Sequence, residues 1–213
     1  AAKKQIIDTF KDLVEKVKIK VKVIDLHSLA VINVFDFISS KKLKKDCSYI
    51  VMDIGAQKTS LVIFRNSRII FVKEMEIGGL MVTEEIQRQM GVNYSEAEDL
   101  KTNVDENGNL PEEVVDIIDE VLDSIFSEVK KTIDFYLTSS SDESLTSCYI
   151  TGGCTLLPGL IEGIEALLGM EVKVLNIFDS IDYDKKNIDE DDFESIAYRG
   201  VAALGLAMRD LSL

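Results

Sequence analysis

Two stretches of this chain carry residue types suited to phosphate chemistry, and residues 60–150 lie between them. The first is Asp53-Ile54-Gly55-Ala56-Gln57-Lys58-Thr59, set between apolar runs rich in β-formers. A strand that ends on Asp53, a turn around Gly55 and a second strand beginning at once put the carboxylate and the turn amides at one sheet edge. Gly55 lets a ligand approach where a Cβ would block it, and successive amides of such a turn form a nest for an anion. Asp53 suits Mg²⁺ held through water. Gln57 shares the turn, and Lys58 or Thr59 can reach a phosphate oxygen. A plain hairpin in which Asp53 and Gly55 only shape the turn uses the same residues.

The second stretch is Thr151-Gly152-Gly153-Cys154-Thr155, which follows the apolar run Cys148-Tyr149-Ile150. Two glycines at a strand end leave bare backbone. A nucleoside and its α-phosphate can pack there, near the N-terminus of the helix that follows, with Thr155 in the same loop. The alternative is a strand-to-helix turn that needs glycine for its angle alone.

The elements that must position these loops are readable from periodicity. Ile6, Ile7, Phe10, Leu13, Val14 and Val17 recur at helical spacing over residues 3–17, with lysines on the other side. Residues 19–25 alternate as a half-buried strand, and Asp25 or Ser28 is expected to cap a helix running to about Phe37. His27 reads as a polar residue at that helix start rather than a catalyst. Runs at 48–53, 59–65 and 68–76 predict an antiparallel meander. Thr83 with Glu84 and Glu85 is expected to open a helix ending at Gly91, and Ser95 and Glu98 stand in capping-box register for another. Asp105–Leu110 reads as a polar turn and Pro111 as the first position of a long amphipathic helix that ends near Thr138 in a Ser-rich loop. Beyond the double glycine, Pro158 is expected to help start a helix carrying Leu160, Ile161, Ile164 and Leu167. A strand at Val172–Leu175, an acidic loop around 179–192 and one Ala/Gly-rich helix at Ala197–Ala207 complete the chain.

Composition bounds what these elements do. With 213 residues, 46% of them hydrophobic, the chain can bury a sizeable core in one or two units. No apolar window is long enough to span a bilayer, and no signal-peptide core is visible, so a soluble cytoplasmic protein without a direct membrane span is expected. Three cysteines in unpaired spacing and a single histidine argue against a zinc site or a disulfide framework. The net charge of −14 is uneven: residues 1–46 hold 11 lysines against 6 acidic residues, whereas 47–213 hold 13 basic and 32 acidic. So acidic a body argues against nucleic acid as a partner. The basic first segment fits either an acidic partner or a solvated helix face. Beginning at Ala1 rather than Met, the chain reads as the remainder of something longer.

The order of motifs resembles the actin, Hsp70 and sugar-kinase superfamily, with Asp53–Thr59 in the place of its second phosphate motif, Thr151–Gly159 of its adenosine motif and Ala197–Ala207 of its second connecting helix. Within it the chain is most similar to the type IV pilus assembly PilM family, relatives of the division protein FtsA. The details are Asp53-Ile-Gly-Ala, Glu76-Ile-Gly-Gly, Thr83-Glu-Glu-Ile-Gln-Arg, Ala97-Glu-Asp-Leu-Lys, Ile133-Asp-Phe-Tyr and Gly205-Leu-Ala-Met-Arg. The resemblance implies an α/β, actin-like (ribonuclease H-like) ATPase-domain lobe with an inserted helical subdomain at about 80–140. Residues 1–46 would be a remnant of the first lobe and its connecting helix, 47–195 the second lobe, and 196–213 a helix returning to the first. It further implies ATP and Mg²⁺ as ligands, with Glu98 and Lys101 approaching the ribose and adenine, a role that competes with Glu98 as a mere capping residue. By resemblance the function is a cytoplasmic scaffold at the inner face of the inner membrane, docking the cytoplasmic tail of PilN and the pilus inner-membrane platform. Self-association through uncovered apolar faces is a further expectation. An FtsA-like filament protein and a superfamily phosphotransferase are the alternatives. No catalytic base is identifiable, which implies at most weak ATPase activity. The family's first phosphate loop and most of its partner groove have no counterpart here, and Asn176-Ile177-Phe178 stands where Asn-Pro-Phe is usual.

Overall fold

Apolar residues on both faces of a strand demand cover on both sides, and the central strands of this protein have that property throughout. In the computed structural model, which describes residues 3–104, 108–140, 145–179, 181–184, 188–189 and 193–209, every residue of β1 (Ser48–Ile54) is buried. The same holds for β2 (Thr59–Arg65) up to Phe64. With β3 (Arg68–Met75), β4 (Leu145–Thr151) and β5 (Val172–Val174) they form one sheet in the order β3-β2-β1-β4-β5. The first three strands are the expected antiparallel meander, while β4 and β5 join in parallel.

Strand alternation sends successive side chains to two cores. Ile50, Met52, Ile54, Leu61 and Ile63 face α3 (Gly79–Met90), α5 (Glu112–Ser140) and α6 (Leu160–Leu168), meeting Ile86, Ile118, Ile125 and Ile164. Tyr49, Val51, Val62, Phe64 and Tyr149 face α2 (His27–Ser39) and α8 (Val201–Met208). Phe35 of α2 is the wedge of that second core, with its ring 5.3 Å from Phe64 and 4.8 Å from Tyr149. The helices α2 and α8 cross at backbone contact. A Cβ on Gly205 would lie 2.0 Å from the Ala30 carbonyl oxygen, so the small residues expected to allow close packing do so.

Several local expectations are corrected. Residues 19–25 form no strand; among the described residues none runs beside them, and alternation alone cannot satisfy a backbone that lacks a partner ladder. Ile19, Val23 and Ile24 are exposed there. The helix before them, α1 (Lys4–Lys16), buries none of its residues, and its apolar stripe of Ile6, Phe10 and Leu13 faces open water. No side chain caps α2; Asp25 instead accepts a hydrogen bond from the Leu26 amide at 2.9 Å.

Helix α3 opens at Gly79, four residues before Thr83. Thr83 is buried inside the helix and donates back to the Gly79 carbonyl, 3.2 Å away. The capping box of α4 (Tyr94–Thr102) is Asn93 with Glu96, two residues earlier than Ser95 with Glu98, which frees Glu98 to face inward. Pro111 precedes α5 and lends its carbonyl to the Val115 amide. Gly159, rather than Pro158, is the residue before α6. The single C-terminal helix is two: α7 (Phe193–Arg199) and α8, parted at Gly200. Parts of three expected loops, at 105–107, 141–144 and within 180–192, lie outside the described residues.

Candidate functional site

Parallel pairing of β1 with β4 brings the two glycine-bearing turns side by side, since Asp53 stands opposite Thr151 and both strands end there. The turn after β1 is closed by the Gly55 amide donating to the Lys58 carbonyl at 3.0 Å. It is tied to the start of α3 by the Gly79 amide on Gly55 and the Leu80 amide on Ala56, at 3.1 and 2.7 Å. Across from it, Gly152 holds φ at 96°, and a Cβ there would lie 2.4 Å from Asp53 Oδ1 and 2.5 Å from the Ile54 carbonyl oxygen. Only glycine permits that approach and that dihedral together. The double-glycine turn is fastened in turn to α7, because the Gly152 amide and the Thr151 hydroxyl both donate to the Tyr198 carbonyl, at 3.2 and 2.8 Å.

Two cavities open at this junction. One, of about 480 Å³, is at the strand ends, and its walls include His27, Asp53, Gly55, Gln57, Lys58 and Gly152. Asp53 is buried, and its Oδ2 meets Nε2 of His27 at the start of α2. That hydrogen bond to a carboxylate holds the imidazole's pKa above its ordinary value, outweighing partial burial. The other cavity, of 790 Å³, lies between α4, α3 and the double-glycine turn, lined by Tyr94, Glu98, Lys101, Leu156 and Pro158 among others. Lys101 Nζ donates to Glu98 Oε1 at 2.6 Å and to the Thr83 hydroxyl at 2.7 Å, and Thr83 also meets Glu98. Burial pushes the Glu98 pKa up, but the hydrogen bonds from Lys101 and Thr83 prevail and leave it below its ordinary value. Cys154, buried between the cavities, has its thiol pushed up to about 11 by burial.

The residues singled out in the sequence divide into three groups. Asp53, Gly55, Gln57, Lys58, Gly152 and Gly153 come together around the smaller cavity, and Glu98 and Lys101 line the larger. Thr59 and Thr155 line neither. Thr59 is fully buried and donates to the Ile77 carbonyl at 2.9 Å; Thr155 donates to the Gly152 carbonyl at 2.8 Å. Both hydroxyls shape loops. Two residues that sequence reasoning passed over belong to the site: His27, and Arg199 at the end of α7. Arg199 and Gly153 are shared by both cavities. Nothing in the spacing around either residue marks it, because each reaches the site only through helix packing.

The sequence profile of the type IV pilus assembly protein PilM family matches residues 1–211. The chain belongs to that family. Its fold matches a PilM–PilN type IV pilus biogenesis complex with a TM-score of 0.74 and 26% identity, covering 88% of this chain and 52% of that one. The cell division protein FtsA of Enterococcus hirae is 24% identical over 153 residues, 62% of this chain and 34% of FtsA. MreB5 of Spiroplasma citri bound to AMPPNP shares the fold alone, at 11% identity and a TM-score of 0.63, over 100% of this chain and 66% of that one. The actin-like architecture of this PilM-family chain is therefore established. It spans about half the length of the PilM chain it matches.

A nucleotide fits: the two cavities have the volume of ordinary small-molecule sites, and Lys58, Glu98, Lys101 and Arg199 line them with polar groups. Among the described residues no three acidic, histidine or cysteine side chains converge to hold a metal by themselves. Mg²⁺ fits only as the companion of a polyphosphate, with Asp53 the one buried carboxylate among the described residues. None of the described helices is long and apolar enough to cross a membrane.

Proposed function

We propose that this chain is the nucleotide-binding second lobe of a PilM-type scaffold of type IV pilus assembly. In this reading the adenosine of ATP occupies the larger cavity, where Glu98 and Lys101 are placed to meet the ribose and adenine. The phosphates pass Gly153 and Arg199, which line both cavities, toward the smaller one. There the Gly55 turn with Gln57 and Lys58 receives them, and Asp53 holds Mg²⁺ through water; Thr59 and Thr155 keep the two turns in shape. Residues 1–46 act as the remnant of a first lobe and its connecting helix, 47–195 as the second lobe, and 196–213 as the return to the first. The observation that carries this reading is the convergence of Asp53, Gly55, Gly152 and Gly153, from turns far apart in sequence, on one cleft.

The solved PilM–PilN complex supports a PilN-type cytoplasmic tail as the partner, and in this reading the protein works in the cytoplasm at the inner face of the inner membrane. The reading is one of nucleotide binding and does not include hydrolysis. Calorimetric titration of Mg-ATP into this chain is the test. Saturable binding is expected, weaker than that of a family member twice as long because charge-assisted phosphate contacts are each worth about 1.5–3 kcal/mol. Asp53→Asn should weaken it further. No saturable binding of ATP or ADP by the folded chain would refute the reading.

A further inference from the structure

The wall between the two cavities is made by Gly153 and Arg199. The Arg199 Nε lies 3.2 Å, and its Cζ 3.8 Å, from the point a Gly153 Cβ would occupy, so the guanidinium lies over the bare backbone of the double-glycine turn. The residue before it is fixed to that turn by two hydrogen bonds to the Tyr198 carbonyl. The backbone of this arginine therefore sits where it does because α7 is stitched to the end of β4, and its exposed side chain reaches back over the turn from there. Among the described residues it makes no hydrogen bond or ion pair, although the Glu98 carboxylate across the larger cavity feels its charge. Five donors in a planar fork stand on the lining that the two cavities share.

We propose that Arg199 is a specificity-determining residue that recognises the first phosphate of the bound nucleotide. This deepens, and rests on, the nucleotide reading above. A nucleoside in the larger cavity and a polyphosphate tail in the smaller are joined through the α-phosphate, and that group passes beside Arg199, which lines both cavities. A guanidinium pairs with phosphate by two parallel hydrogen bonds, which a lysine in the same place cannot reproduce. The site thereby selects nucleotides over nucleosides at their first phosphate, independently of Asp53 and of any metal.

The test compares adenosine, AMP and Mg-ADP on the unsubstituted chain, Arg199→Gln and Arg199→Lys, by ligand-observed NMR with urea unfolding as the check that each variant is folded. Loss of one bidentate charge-assisted contact predicts roughly a 10- to 100-fold fall in affinity for AMP and Mg-ADP in Arg199→Gln. Partial recovery is expected in Arg199→Lys, and adenosine should bind all three alike. An equal loss for adenosine would place Arg199 on the nucleoside instead, and unchanged AMP binding would remove it from the site; either overturns the proposal while the nucleotide reading stands. If the unsubstituted chain bound none of the three, both would fall.

Discussion

Gly205→Ala should destabilise this protein, against the ordinary sign of that substitution. In an open helix the change gains about 1 kcal/mol, because alanine is the better helix former. Here the new Cβ would sit 2.0 Å from the Ala30 carbonyl oxygen and 2.5 Å from its carbon. An ordinary carbon-to-carbonyl contact is about 3.3 Å, so the helices α2 and α8 must part by about 1.3 Å at their crossing. Both obstructing atoms are backbone, and no rotamer change relieves them. Ala30, Val34 and Phe35 of α2 are wholly buried against the sheet, which means that moving the helix opens the second core. Overpacking of this kind costs about 1–3 kcal/mol, and a backbone clash belongs at or above the upper end.

Net of the propensity gain, a loss of about 2 kcal/mol is expected. With a urea m-value of roughly 2–3 kcal/mol/M, the unfolding midpoint should fall by about 0.7–1 M at unchanged slope. Gly163→Ala is the comparison: its Cβ would meet the Phe126 ring, 2.1 Å away, and a ring that is only partly buried can turn aside at lower cost. A midpoint for Gly205→Ala equal to or above that of the unsubstituted chain would refute the close crossing.

Thr59→Val should cost about 1–3 kcal/mol in urea unfolding by leaving the Ile77 carbonyl without its buried donor. Thr59→Ser should restore most of it, and neither should alter the nucleotide selectivity that a phosphate-contacting hydroxyl would confer. Lys101→Met should cost about 1 kcal/mol, a charge-assisted pair discounted because Glu98 is partly exposed. Since Glu98 is held below its ordinary value of 4.5, its contribution is present above that pH and is lost as pH falls through its native value. The acid limb of stability against pH should therefore be shallower in the variant; an unchanged limb would show that the Lys101 pair is not its source. Of the three thiols, Cys47 should react with Ellman's reagent in the native state. Cys148 and Cys154, buried and raised in pKa, should react only on unfolding, and rapid loss of all three would contradict their burial.

The sheet and its two phosphate-type turns were legible because burial on both faces writes itself into β1 and β2 as unbroken apolar runs, and because glycine at a strand end is a local signal. Elements whose limits depend on partners were not. Residues 19–25 alternate like a strand, yet a strand exists only where a neighbour supplies its hydrogen bonds. Thr83 looks like a cap, but α3 begins earlier because the Gly55 turn, which precedes it in sequence, receives the first amides of the helix. Glu98 is a capping residue by spacing and a cavity residue by structure, since Asn93 takes the capping role. His27 and Arg199 join the site only through tertiary packing, and no periodicity announces that.

The parallel pairing of β1 with β4 also sets the order in which this molecule can assemble. Hairpins β1–β2 and β2–β3 close over short turns, whereas β4 cannot reach β1 until residues 55–144 have been gathered between them. Local contacts of the first kind form quickly, and ones of high sequence separation bear the entropy of loop closure first. Pulse-labelled hydrogen exchange during refolding should therefore find the β2 amides protected before those of β4, and simultaneous protection would contradict this order. During that interval the far side of β1 is a bare apolar edge, open to pairing with the same strand of another copy. The cleft between Asp53 and Gly152 is thus the last part of the lobe to come into being, and crowding of nascent chains is most hazardous just before it does.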